Sequence, residues 1–220
     1  MKEKDHNYSA ARALMVDGQV RPNNIVDERI IAAMRGLRRE RFVPPTQAGR
    51  AYTDAELPLG RGRVMPSPLT IGKLAAFAAV RPGERVLVIG ANTGYGAAVL
   101  ASCGGEVFAL ESDADLRAIA TGALAAEAPE VRLLAGRLTD GVPQLAPFDL
   151  IVIEGAIDTL PAALASQLTQ TGRLIAIVRQ RGVGRIIRAE PSGNGFAQRI
   201  LADCHASLLP DFSPEPEFTF

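Results

Sequence analysis

The sequence is poor in the residues that build disulfide frameworks, metal centres and histidine-driven catalysis. Its two cysteines, Cys103 and Cys204, lie far apart with no C-x-x-C pair, which excludes a disulfide framework and a cysteine-rich metal site. Its two histidines are His6, in the polar N-terminal stretch, and His205. Zinc sites and histidine triads therefore lack their usual ligands and bases, and no metal is expected. No apolar run reaches the roughly 18 residues of a membrane span. The opening MKEKDHNYSA has no apolar segment after its charges, so no secretory signal is read and a reduced, cytoplasmic protein is expected. Net charge is lacking too, with Lys+Arg and Asp+Glu at 24 each. That balance gives no support to a nucleic-acid binder, whose affinity rests on excess basic charge. Lysine itself is rare: only Lys2, Lys4 and Lys73 occur, so arginine supplies the other basic residues.

What is present is enough apolar material for a core. The chain has 220 residues, 47% of them hydrophobic and 22% charged, which reads as a single domain that folds unaided. Asp27 precedes Ile30, Ala33, Met34 and Leu37 at helical spacing and reads as an N-cap. The basic cluster that follows, Arg38, Arg39 and Arg41, reads as a solvated face complementing the helix dipole. Between Tyr52 and Pro68 the density of Gly and Pro predicts an irregular loop, and a loop of that length in a compact domain is usually functional. Ser67 is placed to cap a helix whose Ile71, Leu74, Ala75 and Ala78 share a face.

Beyond Pro82-Gly83, strands alternate with helices. Strands are predicted over residues 85–89, 107–110, 131–134, 149–153 and 173–178, with helical segments from 97, over 113–128 and over 161–168. Apolar strands with helical crossovers predict a doubly wound, mostly parallel α/β sheet covered on both faces. Residues 185–189 and 196–201 flank Pro-Ser-Gly-Asn-Gly and predict an antiparallel hairpin at the sheet edge, with an irregular tail from Pro210. Residues 1–82 are expected to form a helical cap with its long loop on a Rossmann-like core spanning 83–220.

Ligands of such sheets bind beyond the carboxyl ends of the strands, at the switch point. Here that place is Gly90-Ala91-Asn92-Thr93-Gly94-Tyr95, and Glu111 follows Gly90 by about 20 positions at the end of the second strand. A carboxylate there can accept hydrogen bonds from both hydroxyls of a ribose. Asn92 stands where a dinucleotide fingerprint needs its second glycine, so the loop suits a mononucleoside such as S-adenosylmethionine better than a dinucleotide. A plain strand-to-helix turn is the alternative.

These residues resemble the protein-L-isoaspartate O-methyltransferases. The resemblance is carried by Gln19-Val20, Asp27-Glu28-Arg29, Arg39-Glu40-Arg41-Phe42-Val43-Pro44 and Ala51-Tyr52-x-Asp54-x-x-Leu57-Pro58-Leu59-Gly60. It continues through Val86-Leu87-x-Ile89-Gly90, Gly94-Tyr95-x-Ala97-Ala98-Val99-Leu100-Ala101, Pro147-Phe148-Asp149, and Gln167-Leu168 with Gly172-Arg173-Leu174. It covers roughly residues 15–180, and the segment from Tyr52 to Gly60 is specific to the family rather than to methyltransferases at large. The resemblance implies a class I methyltransferase that uses S-adenosylmethionine to methylate the free carboxylate of isoaspartyl residues in damaged proteins and peptides. Implied cofactor residues are Gly90, Ala91, Asn92, Gly94, Glu111 and Ser112, with Arg137 and Leu138 near the adenine. Tyr52, Leu59, Met65 and Pro66 would contact the substrate beneath a lid running from Tyr52 to Ser67. A monomer or weak dimer is expected, without nucleic-acid or membrane partners.

The chain departs from the family pattern at several positions around that cleft. Pro66 stands at the position of the family's active-site serine, and proline offers neither a hydroxyl nor an N–H. Ser67, one residue later, is either a displaced catalytic hydroxyl or only the helix cap. Val88 replaces an acid common in the first strand, and Gly136-Arg137 replaces a Gly-Asp. Glu154 either restores an acid near the cofactor or sits at an exposed strand end. Three functions stay open: isoaspartyl methylation, a catalytically degenerate binding or scaffold protein, and methyl transfer to another carboxylate or small molecule.

Overall fold

The computed structural model describes residues 2–212, with side chains from Tyr8 onward. His6, as a side chain, and the tail after residue 212 lie outside them. The N-terminal third is helical from its start: α1 (Lys2–Met15) runs through a π-helical segment (Val16–Val20) and a 3₁₀ turn (Arg21–Asn23) to α2 (Glu28–Gly36). Asp27 caps α2, its carboxylate accepting from the Arg29 backbone N–H at 2.9 Å. Ile30, Ile31, Ala33 and Met34 form the buried face of this helix.

α2 stops at Gly36, so the arginines beyond it are not a solvated helix face. Arg38 and Arg41 both pair with the buried carboxylate of Glu127, and Arg39 has no exposed surface at all. The segment predicted to be irregular also contains regular structure. Residues Leu57–Gly60 (β1) and Arg63–Met65 (β2) pair as an antiparallel hairpin, whose turn carries Gly60 and Gly62 at positive φ. The glycines that read as loop punctuation are the bend of a short ribbon. Ser67 then caps α3 (Pro68–Ala78), its Oγ accepting from the Thr70 N–H at 3.2 Å.

The core follows as β3 (Arg85–Ile89), α4 (Tyr95–Ser102), β4 (Glu106–Glu111), α5 (Ala114–Glu127), β5 (Arg132–Ala135), β6 (Phe148–Ile157), β7 (Leu168–Gln180), β8 (Val183–Ser192) and β9 (Gly195–Asp203). The sheet order is β5-β4-β3-β6-β7-β8-β9. The first five strands are parallel, and β8 and β9 add on antiparallel, forming the edge hairpin expected from the Pro-Ser-Gly-Asn-Gly turn. The segment predicted to be helical between β6 and β7 is only a 3₁₀ turn over Ala162–Gln167.

Alternation along each strand divides the interior in two. Val86 and Val88 face a core shared with α2, α3, α4 and α5. Leu87 and Ile89 face the other core, covered by 3₁₀ turns, by Leu138, Val142 and Leu164, and by Leu209 near the end of the described chain. The two faces are covered unequally, α-helices on one and turns on the other. The carboxyl ends of β3 and β6 therefore lie where short irregular segments do the covering.

Candidate active site

β3 lies between β4 on one side and β6 on the other, so the chain leaves it in one direction and later returns to its opposite flank. This is the switch point at which open α/β sheets bind ligands. Past Ile89 the backbone turns sharply: Gly90 and Gly94 have φ of +71° and +95°, conformations that side chains disfavour. The N–H groups of Gly90 and Ala91 both donate to the Leu110 carbonyl, at 3.0 and 3.1 Å, which fastens the turn to the end of β4. Glu111 is the last residue of β4 and has no exposed surface. The motif residues Gly90, Ala91, Asn92, Gly94 and Glu111 are thus brought together, with Ser112 beside them.

Arg63, on β2, holds Glu111 in a fork-to-fork pair, with Nη1 donating to Oε1 at 2.8 Å and Nη2 to Oε2 at 2.7 Å. The backbone N–H of Asn92 donates to Oε2 at 2.8 Å and that of Asp113 to Oε1 at 2.9 Å. Oε2 thus accepts two hydrogen bonds, and Oε1 accepts two, with Ser112 Oγ at 3.4 Å as a third partner. Arg63 Nη2 also donates to Asn92 Oδ1 at 3.0 Å. Beside this pair Ser112 Oγ donates to Asp211 Oδ2 at 2.7 Å. Arg137 is exposed, whereas Leu138 is buried.

Glu154 is not at an exposed strand end. The register of β6 against β7 jumps between Val152 and Ala156, and the irregularity leaves Glu154 2% exposed. A side chain on Gly96 would collide with its carboxylate. Burial raises its carboxyl pKa to about 8, against the opposing pull of the Arg39 cation. Its Oε1, Asn92 Nδ2 and the Tyr95 hydroxyl are buried without a partner among the described protein atoms. Such orphaned polar atoms are rare in protein interiors. These three belong to the glycine turn, the first residue of α4 and the irregular part of β6, and others lie elsewhere in the chain, on Gln19, Gln47, Arg85 and Thr169 among them.

Arg39 supports the crevice from behind. Its Nε donates to the Ala51 carbonyl at 2.8 Å and its Nη2 to the Pro66 carbonyl at 2.7 Å, and its guanidinium lies 4.6 Å from the centre of the Tyr95 ring. Pro66 therefore contributes a carbonyl as an anchor for the lid. Tyr52 holds the lid's other end, its hydroxyl bonding Glu40 and accepting from Arg12 Nε at 3.0 Å. Leu59 and Met65 are buried beneath the hairpin. Ser67 is engaged as the cap of α3, and it also lines a cavity of about 220 Å³ with Glu56, Thr70, Lys73, Cys204 and His205.

Sequence reasoning located the glycine turn and Glu111, but did not identify Arg63 as the partner of that carboxylate. It missed Leu209 and Asp211 entirely. The only signal for Leu209 is the apolar pair Leu208-Leu209 just before Pro210. Arg39 was misread because nothing in a run of arginines distinguishes the one that turns inward.

Residues 11–205 match the model of the family described as protein-L-isoaspartate(D-aspartate) O-methyltransferase. A protein-L-isoaspartate O-methyltransferase from Methylorubrum populi is 41% identical over 184 residues, covering 84% of this chain and 87% of that protein. One from Koribacter versatilis is 34% identical over 198 residues, covering 90% and 89%. Among solved structures, a Plasmodium falciparum protein described as a protein-L-isoaspartate O-methyltransferase in complex with S-adenosyl-L-homocysteine superposes with a TM-score of 0.75 at 17% identity. That superposition covers 91% of this chain and 98% of that one.

Proposed function

The chain belongs to the protein-L-isoaspartate(D-aspartate) O-methyltransferase family, and from that premise we propose that it transfers a methyl group from S-adenosylmethionine to the free carboxylate of L-isoaspartyl residues in damaged proteins and peptides. The observation that carries the reading is Glu111 at the end of β4, facing the glycine turn after β3. The donor set fits a nucleoside: a carboxylate for a ribose diol, backbone at Gly90, Asn92 and Gly94 for close approach, and Leu138 as an apolar wall for adenine. Ala91 and Ser112 complete that lining, and Arg137 borders it from solvent. Asn92 Nδ2 and Glu154 Oε1, buried without partners among the described atoms, are free to meet polar groups of the cofactor.

The cofactor supplies an electrophilic methyl on a cationic sulfur that leaves as a neutral thioether. The acceptor is already ionised at neutral pH, so no protein base is needed, and the chain contributes positioning and water exclusion. With Val88 in place of an acid, Glu154 is the carboxyl group available to the cofactor's cationic end. It is largely protonated at pH 7 and ionises when a cation enters beside it. The β1–β2 hairpin and Pro66 cover the crevice, with Tyr52, Leu59 and Met65 shaping the substrate side. Ser67 and Lys73 face the cavity of about 220 Å³, which the acids Asp54 and Glu56 also line.

A cytoplasmic setting suits two buried free cysteines, and among the described residues no helix is long and apolar enough to cross a membrane. The test is methyl-ester formation from labelled cofactor on an isoaspartyl peptide. Esterification above a normal-aspartyl control is expected. Incorporation equal to that control overturns the reading.

A further inference from the structure

The crevice that should receive the cofactor is filled by the protein itself. Residues 207–212 cross the carboxyl ends of the central strands and dock on the irregular part of β6. The Ala156 N–H donates to the Ser207 carbonyl at 3.0 Å, and the Leu209 N–H donates to the Ala156 carbonyl at 2.8 Å. Leu209 is 4% exposed. Its side chain lies so close to the floor that a Cβ built on Gly90 would meet it at 3.0 Å, and one on Gly155 at 2.5 Å. The bare glycine surface that lets a backbone approach a ligand is thus in contact with a leucine.

Glu111, the carboxylate of the crevice, is satisfied as well. Arg63 occupies both oxygens of Glu111, and Asp211 reaches back to Ser112 Oγ at 2.7 Å and to Arg63 Nη1 at 3.8 Å. Leu209 covers the floor, as an apolar moiety of a ligand would, and Arg63 engages the acid, as a diol would. A ribose cannot bond Glu111 while the guanidinium holds it, and no ligand fits between Leu209 and Gly90.

We propose that residues 207–212, with Arg63, form an internal strap that competes with the cofactor for this crevice, so that cofactor binds only the molecules in which the strap has lifted. This rests on the methyltransferase reading for the identity of the competitor. The attachments of this segment are two backbone hydrogen bonds to Ala156, two hydrogen bonds from Ser207 to the Glu56 carboxylate, the packing of Leu208, Leu209 and Phe212, and the contacts of Asp211 to Ser112 and Arg63. The backbone bonds form an isolated bridge outside the strand ladders, so their release leaves the sheet intact. The observed affinity is then the intrinsic affinity reduced by the open fraction. If about 1% of molecules are open, the apparent Kd is about a hundredfold weaker than the site itself allows. Weakening the strap raises affinity without altering any proposed cofactor contact.

The experiment measures S-adenosylhomocysteine binding by calorimetry to the wild-type chain, to L209A and to the L209A/D211A double variant. Hydrogen exchange at the backbone amide of position 209 is followed in each, with and without ligand. A cooperative melt for each variant establishes that it is folded. The expected result is at least a tenfold lower Kd in the double variant, with L209A between the two, and loss of Leu209 protection in the saturated wild type. Equal affinities, retained Leu209 protection in the saturated complex, or no binding by any of the three proteins overturns the strap. Tight binding by the variants with no methyl ester on an isoaspartyl peptide leaves the strap standing and overturns the enzymatic reading instead.

Discussion

Arg39 sits among exposed arginines in the sequence yet has no exposed surface, because the carbonyls of Ala51 and Pro66 and the face of Tyr95 receive it. Replacing it with alanine strands two buried carbonyls and removes the ring contact. Arg39→Ala is expected to lower stability by about 3 kcal/mol, read from the urea midpoint at unchanged slope. Arg39→Lys is not expected to rescue it, since an ammonium cannot span the same two acceptors as a planar fork. Glu154 makes a different prediction. Its carboxyl pKa is raised to about 8 by burial, so between pH 4.5 and 8 the native state keeps a proton that the unfolded chain has lost. The native state then binds more protons, and stability falls as pH rises through that window. Glu154→Gln mimics the protonated acid and avoids the loss. Melting curves of the two proteins are expected to coincide near pH 4.5 and to separate by about 2 to 5 kcal/mol by pH 8. At this scale Glu111 was legible because a strand end and a spacing identified it. The inward turn of Arg39 was not, since it depends on carbonyls and a ring supplied from elsewhere in the chain.

Elements were legible where periodicity and caps agreed. Asp27 and Ser67 both cap the helices they precede, and the hairpin at the sheet edge follows its turn residues. Illegible elements were those whose local signals are ambiguous. The bend at Gly60 and Gly62 looks the same in sequence whether or not its flanks pair. The crossover before β7 has helical composition but winds only as a 3₁₀ turn. Ser67 allows a direct test of the element it begins. Ser67→Ala removes the bond to Thr70 N–H and is expected to cost about 1 kcal/mol, measured by thermal melting. Ser67→Asp, which keeps a capping acceptor, is expected to regain most of that loss. If Ser67 also meets the substrate, Ser67→Asp will recover stability while methyl-ester formation stays below wild type.

For the whole molecule, the alternation of Val86 and Val88 with Leu87 and Ile89 announces a sheet buried on both sides. The inequality of the two covers could not be read, because it depends on which segments return to lie on the strands. β3, β4 and β6 are interior strands packed on both faces, whereas β9 is a largely exposed edge. Amide exchange is therefore expected to be slowest in β3, β4 and β6 and fastest in β9 and the β1–β2 hairpin. Slow exchange throughout β9 would contradict the exposed edge.

The scarcity of lysine gives the small cavity beside α3 a chemical address. Lys73 is the only lysine beyond residue 4, and it lines that cavity with Ser67 and His205. An amine-directed reagent applied to this protein can modify only the first few residues and this one internal position. A single mass increment on the peptide carrying Lys73 therefore registers access to the cavity, and its slowing by an added carboxylate would register occupancy, with no engineered label in the chain.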